Sequence, residues 1–136
     1  MAKVSMGTAI NAPAEEVWEM VGRWNALPDW HPGVVQSELE GGGSVRRLTL
    51  VGGGTITEKL ESVDDAHRSY SYSITASPLP VVNYVATIKV VRDGEKCTVE
   101  WGSVFDPSGT SEQDASRAIA EMFEAGLANL KRLFGG

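Results

Sequence analysis

The sequence is poor in the residues that build metal sites and disulfide frameworks. Its 136 residues include one cysteine, Cys97, and two histidines, His31 and His67. A single thiol cannot form an intramolecular disulfide, and these three residues are too few for a thiolate or histidine metal cluster. We therefore expect no metal and no other cofactor, and we interpret Cys97 as a small core residue.

Basic residues are also scarce. The chain has 12 lysines and arginines against 18 aspartates and glutamates, which gives a net charge of −6. The basic residues are scattered, with adjacent pairs only at Arg46-Arg47 and Lys131-Arg132. Nucleic-acid binding requires a basic surface that displaces counterions from phosphates, so we expect no nucleic-acid partner.

Long apolar runs are missing as well. No run approaches the length of a membrane span, and polar residues interrupt the first part of the chain where a signal peptide would need an apolar core. We expect a cytoplasmic protein without membrane insertion. The length predicts one domain over residues 1–136, and it leaves both a monomer and a homodimer open.

Hydrophobic periodicity predicts an α+β fold. A strand at 3–10 precedes a short helix that starts at Pro13 and a second short turn near 24–27. Alternation with a period of two then predicts six strands, at 34–40, 45–51, 55–63, 67–76, 83–92 and 96–105. Apolar residues recur at helical spacing over 111–134. We predict a curved, seven-stranded antiparallel sheet wrapped around this long C-terminal helix.

A sheet curved around one helix encloses more space than its side chains fill, so this order of elements predicts an internal pocket. Several inward positions are small, and others are polar. A dry core does not tolerate an unpaired arginine or glutamate, so Arg46 and Glu58 either pair or line a wet cavity. The predicted ligand-binding residues are Trp30, Arg46, Leu48, Leu50, Ile56, Glu58, Tyr72, Ile74, Tyr84, Ala86, Trp101, Ser103, Met122, Phe123, Gly126 and Leu127.

Four segments carry a family resemblance: APAEEVW at 12–18, LPDWHPG at 27–33, Trp101 ahead of FDP at 105–107, and GLANLK at 126–131. On these segments the chain resembles the START / birch-pollen-allergen (SRPBCC) superfamily, in particular its small bacterial polyketide cyclase/dehydrase-like branch. The resemblance implies the helix-grip fold over nearly the whole chain. It says less about activity, because the superfamily includes lipid carriers, hormone receptors, cyclases and chaperone activators.

The layout also resembles that of the plant abscisic-acid receptors. The glycines at 52–54 and the loop at 77–80 fall where those receptors have a mobile gate and a latch, and TEKL at 57–60 resembles a pocket-lining segment. The position of the receptors' hormone-binding lysine falls near Trp30 here. The resemblance therefore implies a pocket but not hormone reception. We predict that the pocket opens between these two loops and the Trp30-His31 loop.

Two functions are consistent with this sequence. The first is binding or transport of a small, mostly apolar molecule, such as a lipid or an aromatic polyketide. One anionic or carbonyl group of that molecule would reach Arg46, Glu58, Tyr72 or Tyr84. The second is a cofactor-independent cyclase, dehydratase or lyase acting on a polyketide-like carbonyl substrate. In that reaction Glu58 removes a proton next to the carbonyl, and Tyr84 or Arg46 stabilises the enolate.

Individual residues leave further alternatives open. Arg46 and Glu58 are equally compatible with a structural ion pair and with a catalytic base beside a ligand anchor. Trp30 and Trp101 are more typical of packing than of ligand stacking. His31 favours a loop-capping role over acid/base chemistry, because no neighbour in the sequence is expected to orient its imidazole.

Overall fold

The computed structural model describes residues 1–135, and its backbone forms one antiparallel sheet in the order β1-β7-β6-β5-β4-β3-β2. A short helix and a three-residue 3-10 turn follow the first strand, and a long helix ends the chain. The elements are β1 (Ala2–Ile10), α1 (Ala14–Val21), the 3-10 turn (Leu27–Asp29), β2 (Val34–Glu40), β3 (Val45–Leu50), β4 (Thr55–Asp64), β5 (Ser69–Ala76), β6 (Val81–Asp93), β7 (Lys96–Pro107) and α2 (Glu112–Leu133).

The α+β helix-grip architecture predicted from the sequence is confirmed, with differences at strand ends. Strand β6 begins at Val81 rather than at residue 83, because Val81 and Val82 already pair with β7. Asn83 then takes a left-handed φ of 55° within a β-bulge, and pairing resumes beyond it. Strand β5 begins at Ser69 rather than at residue 67. There the backbone N–H of His67 donates to the Asp64 carboxylate over 3.1 Å, which holds a turn.

Helix α2 starts where its capping residues predict. The Ser111 side chain accepts a hydrogen bond from the backbone N–H of Asp114 at 3.1 Å, which satisfies one of the free donors of the first turn. Acidic residues occupy the first turn, and Lys131 and Arg132 occupy the last, so the charges at both ends complement the helix dipole. These local interactions fix where the helix begins and support its full length.

The helix lies closest to one half of the sheet. Its close backbone approaches are to β1 and β7 rather than to β3, β4 and β5. The Phe123 ring stacks on Trp101 with 4.3 Å between ring centroids. At Gly126 a Cβ atom would lie 2.7 Å from the His31 ring, 3.0 Å from Trp101 and 3.1 Å from Trp30. The missing side chain therefore permits this close contact, and the opposite half of the sheet is left without such packing.

We expect Gly126→Ala to lower the free energy of unfolding. Alanine is the better helix former by about 1 kcal/mol, but its methyl group would push against three buried aromatic rings, and overpacking costs about 1–3 kcal/mol. Urea unfolding measures the difference, with Glu124→Ala on the exposed side of α2 as control. A variant as stable as the wild type, or more stable, would contradict the packing described for this contact.

Candidate ligand cavity

A cavity of about 360 Å³ lies between helix α2, the inner face of β3 and β4, and the segment around the 3-10 turn. Its wall is mostly apolar. The lining residues are Leu27, His31, Gly33, Val34, Leu48, Leu50, Val51, Ile56, Glu58, Tyr72, Leu79, Trp101, Ala118, Glu121, Met122 and Ala125. The cavity occupies the half of the sheet that helix α2 does not approach closely.

Residues in or beside the three segments that the sequence predicts to surround the opening line the cavity. Val51 precedes the glycine turn at 52–54, Leu79 belongs to the loop at 77–80, and Gly33 follows the Trp30-His31 loop. The first two segments come close together, since a Cβ atom at residue 54 would lie 4.0 Å from Pro78 Cγ. All three turn glycines have φ between 86° and 95°, which side-chain-bearing residues rarely adopt.

Seven of the sixteen predicted ligand-binding residues line this cavity: Leu48, Leu50, Ile56, Glu58, Tyr72, Trp101 and Met122. The others do not line it within residues 1–135. Trp30, Phe123, Gly126 and Leu127 are buried at or beside the contact between helix and sheet. Ile74 borders a separate shallow depression by the β5–β6 loop. The remaining four are buried deeper in the wall: Arg46, Tyr84, Ala86 and Ser103.

The sequence analysis did not name the other lining residues as ligand-binding, although it placed the loops that contain His31 and Leu79 at the opening. Three of the others, Ala118, Glu121 and Ala125, lie with Met122 at helical spacing along one side of α2. This spacing was available in the sequence, beside the main apolar stripe. The remaining lining residues lie in loops or at strand ends, where the sequence has no periodic pattern and where side-chain positions depend on how the loops fold. They are Leu27, His31, Gly33, Val34, Val51 and Leu79.

Arg46 and Glu58 form a buried ion pair. They are directly opposite each other in the register of β3 and β4, and their side chains are 1% and 4% exposed. Arg46 Nε donates to Glu58 Oε1 at 2.8 Å, and Nη2 lies 2.7 Å from the same oxygen. Arg46 Nη1 donates to the Trp24 carbonyl at 2.5 Å, and its guanidinium carbon lies 3.8 Å from the centre of the Trp24 ring. Glu58 thus faces the cavity, and Arg46 is enclosed behind it.

Burial affects the pKa of both members of this pair. It raises the pKa of Glu58 above its ordinary value, although the Arg46 guanidinium pulls that pKa in the opposite direction. Burial by itself lowers the pKa of Arg46, but the electrostatic effects of Tyr70 and Glu58 outweigh it and raise that pKa. Arg46 therefore stays a cation, and Glu58 is the member of the pair that can exchange a proton.

The polar groups of three aromatic side chains lie close together at the cavity wall. Trp101 Nε1 donates to the Tyr72 hydroxyl at 3.0 Å. Tyr84 packs near Tyr72, with 6.2 Å between ring centroids, and its hydroxyl makes no hydrogen bond with residues 1–135. Burial raises the pKa of Tyr84 further above its ordinary value, so this hydroxyl stays protonated at neutral pH. Of the two tyrosines predicted to bind a ligand, Tyr72 borders the cavity and Tyr84 lies behind it.

His31 caps its own loop and also borders the cavity. Its Nδ1 accepts a hydrogen bond from the backbone N–H of Gly33 at 3.0 Å, and its Nε2 donates to the Met122 carbonyl at 2.8 Å. The loop-capping role is confirmed, but the expectation that no neighbour in sequence orients the ring was wrong, since Gly33 does so. Burial lowers the pKa of His31, which keeps the imidazole neutral with both nitrogens occupied.

The residues 1–135 match the family model described as polyketide cyclase / dehydrase and lipid transport. The chain belongs to this family. Abscisic acid receptor PYL2 of Arabidopsis thaliana is 30% identical to it over 135 residues, which cover 89% of this chain and 71% of the receptor. The match confirms the family resemblance carried by the four sequence segments.

Solved structures support the fold of this family member. The protein XoxI from Bacillus cereus shares 38% identity and superposes with a TM-score of 0.96, over 98% of this chain and 96% of XoxI. A START superfamily protein from Mycobacterium smegmatis superposes with a TM-score of 0.81 at 14% identity, over 98% of this chain and 97% of that protein. The second similarity extends to the fold alone.

Two further observations concern membranes and metals. Neither helix within residues 1–135 combines the length and the hydrophobicity needed to cross a membrane. In the same part of the chain, no three His, Cys, Asp or Glu side chains come together as a metal-binding group. Cys97 is buried, as its interpretation as a core residue predicts.

We expect Arg46→Met to destabilise the protein strongly at neutral pH. It would leave the Glu58 carboxylate buried without its counter-charge, a change that typically costs about 3–5 kcal/mol. The matched control is Arg47→Met, because the neighbouring Arg47 contacts Glu38 on the surface at 3.3 Å, where an ion pair contributes about 0–1 kcal/mol. Replacing both Arg46 and Glu58 with Met should recover most of the loss.

The loss in Arg46→Met should depend on pH. Without Arg46, the pKa of Glu58 in the folded protein rises further above its value in the unfolded chain. At a pH between these two pKa values, the folded protein holds a proton on Glu58 that the unfolded chain has released. Stability therefore falls as pH rises through this window, and the deficit relative to wild type should shrink as pH is lowered toward about 4.5. A deficit that is independent of pH, or no larger than that of Arg47→Met, would contradict the buried pair.

Proposed function

We propose that this protein binds a small, mostly apolar molecule, such as a lipid or an aromatic polyketide, in the cavity under helix α2. The observation that carries this proposal is the mostly apolar wall around about 360 Å³. Cavities of about 300–1,000 Å³ with a few polar groups are typical of small-molecule sites. A carrier or a ligand sensor needs no more chemistry than such a cavity supplies.

The construction of the wall supports ligand binding over simple core packing. The side of α2 that faces the cavity carries Ala118 and Ala125, whose methyl groups leave the space open. At the half-buried Ala118, a core that only had to be stable would gain from a larger side chain, since filled volume adds dispersion contacts and removes the cost of the cavity. The similarity to a protein named abscisic acid receptor also supports a small-molecule ligand.

One observation favours a second function, a cofactor-independent cyclase, dehydratase or lyase acting on a polyketide-like carbonyl substrate. Glu58 borders the cavity, and burial raises its pKa, which makes it a stronger base than an exposed glutamate. In this reaction Glu58 takes a proton from the carbon next to the carbonyl, and the electron pair moves to the carbonyl oxygen as an enolate. Tyr72 is the hydroxyl that borders the cavity and would donate to that oxygen, in place of Tyr84.

The variant Glu58→Gln distinguishes the two functions. A binding protein would keep its affinity for an apolar probe in this variant, whereas an enzyme would keep affinity and lose turnover of a polyketone substrate.

We further propose a cytoplasmic location, which the lone buried Cys97 supports because secreted domains of this size commonly rely on disulfides. The protein is proposed to act as a monomer or a homodimer.

We expect the uncharged solvatochromic dye prodan to bind in the cavity with a blue shift of its emission. Ala118→Trp would fill the cavity and should weaken this binding at least tenfold, because the indole occupies the space of the dye. The matched control is Ala128→Trp, which places the same side chain on an exposed position of the same helix. Fluorescence titration measures both affinities.

Two results would count against this function. One is the absence of any blue shift with the wild-type protein. The other is an equal loss of binding in Ala118→Trp and Ala128→Trp, which would place the dye on the surface of α2. Circular dichroism of both variants establishes that the fold is kept.

A further inference from the structure

The ionised side chains that face the cavity are all of one sign. Within residues 1–135 its lining includes Glu58 and Glu121 but no lysine or arginine. His31 also lines it, but its Nδ1 is engaged by Gly33 and its Nε2 by the Met122 carbonyl. The cavity therefore presents carboxylates to a ligand and no cation that could meet an anionic group.

Arg46 does not supply the missing positive charge. Its Nε donates to the Glu58 carboxylate and its Nη1 to the Trp24 carbonyl. Nη2 lies 2.7 Å from Glu58 Oε1 without forming a hydrogen bond, and the guanidinium stacks on the Trp24 ring. The side chain is 1% exposed and is not part of the lining. A ligand carboxylate would have to displace Glu58 from this pair before it could reach Arg46. The sequence-based expectation was an anionic or carbonyl group of the ligand at Arg46, Glu58, Tyr72 or Tyr84, and of these four Arg46 is enclosed by its own contacts.

Glu58 instead offers an acceptor. Both contacts from Arg46 go to Oε1, and no hydrogen bond to Oε2 is present among residues 1–135. A buried carboxylate oxygen gains most from a ligand that donates a hydrogen bond, because charge-assisted bonds are the stronger ones. A ligand carboxylate next to Glu58 would be repelled. That carboxylate would also lose its bound water without gaining a hydrogen bond in return.

Building on the proposed binding function, we propose that the cavity selects uncharged apolar molecules that carry a hydroxyl group and rejects carboxylates. The hydroxyl donates to Glu58, and the rest of the molecule contacts the apolar wall. Alcohols and phenols fit this description. Ionised fatty acids and other acids do not, even where their apolar parts would fill the space.

Three probes with one aromatic frame test this selection: naphthylmethanol, naphthoate and methylnaphthalene. Each is titrated at neutral pH against wild-type protein loaded with prodan, and its displacement of the dye is measured. We expect naphthylmethanol to bind at least tenfold more tightly than naphthoate, and several-fold more tightly than methylnaphthalene, which lacks a donor. Naphthoate binding within threefold of naphthylmethanol would overturn the proposal.

Two variants test the role of Glu58. Glu58→Gln leaves the Arg46 cation without its counter-charge, so the preference against naphthoate should shrink or reverse. Glu124→Gln, at an exposed position of α2 that is not part of the lining, is the matched control and should change that preference by less than threefold. An unchanged preference in a folded Glu58→Gln protein would contradict the proposal. If this variant does not fold, the double replacement of Arg46 and Glu58 by Met tests it, since naphthylmethanol should then lose its advantage over methylnaphthalene.

The outcomes separate this inference from the proposed function. If neither prodan nor any naphthalene probe binds, the cavity is not a ligand site and both fail. If all three probes bind with similar affinity, and Ala118→Trp abolishes that binding, the proposed function stands and the selection for a hydroxyl group is wrong.

Discussion

One geometric constraint underlies the structure: a single helix has to cover the inner face of seven strands. Helix α2 approaches β1 and β7 closely, at a contact that Gly126 makes possible, and Trp101 and Phe123 fill it with stacked rings. A helix seated so tightly against one edge of a curved sheet cannot also fill the other half. The cavity against β3 and β4 follows from that packing, and its apolar wall follows from the strand alternation.

The buried ion pair makes a charged side chain tolerable at the wall of this cavity. A polar group at the wall of an apolar cavity is costly unless it has a partner, and the register of β3 and β4 places Arg46 directly opposite Glu58. Arg46 in turn stacks on Trp24, in the segment that follows α1. The pair therefore ties two strands to the connection between the first helix and the 3-10 turn. Its other effect is to leave a carboxylate, and no cation, facing the interior.

The extent to which sequence reasoning succeeded depends on the kind of signal. Strand alternation correctly identified residues that point inward, including Leu48, Ile56 and Tyr72, because the side-chain period of a strand determines the face. It could not determine depth along that face, so Tyr84 was assigned to the cavity although it lies behind the wall. The sequence left open whether Arg46 pairs with Glu58. It indicates that a buried charge needs a partner, but it does not give the strand register that places the two side chains opposite each other.

Loops and helix orientation account for the rest. The family resemblance placed the loop at 77–80 beside the opening, but which of its residues lines the cavity depends on how the loop folds, and no periodic pattern identifies Leu79 as that residue. The cavity-facing side of α2, with Ala118 and Ala125, is offset from the apolar stripe that packs on the sheet. Its small residues are visible in the sequence, but which side of the helix faces the open half of the sheet follows from the close contact at Gly126.

The central claim is that a ligand occupies the space between α2 and the β3–β4 half of the sheet. The most direct test is an NMR measurement of intermolecular nuclear Overhauser effects between bound naphthylmethanol and protein methyl groups. We predict contacts to Leu48, Ile56 and Met122, which line the cavity. Contacts confined to exposed methyl groups such as those of Val82 and Val85 would contradict the account, because they would place the molecule on the outside of the sheet.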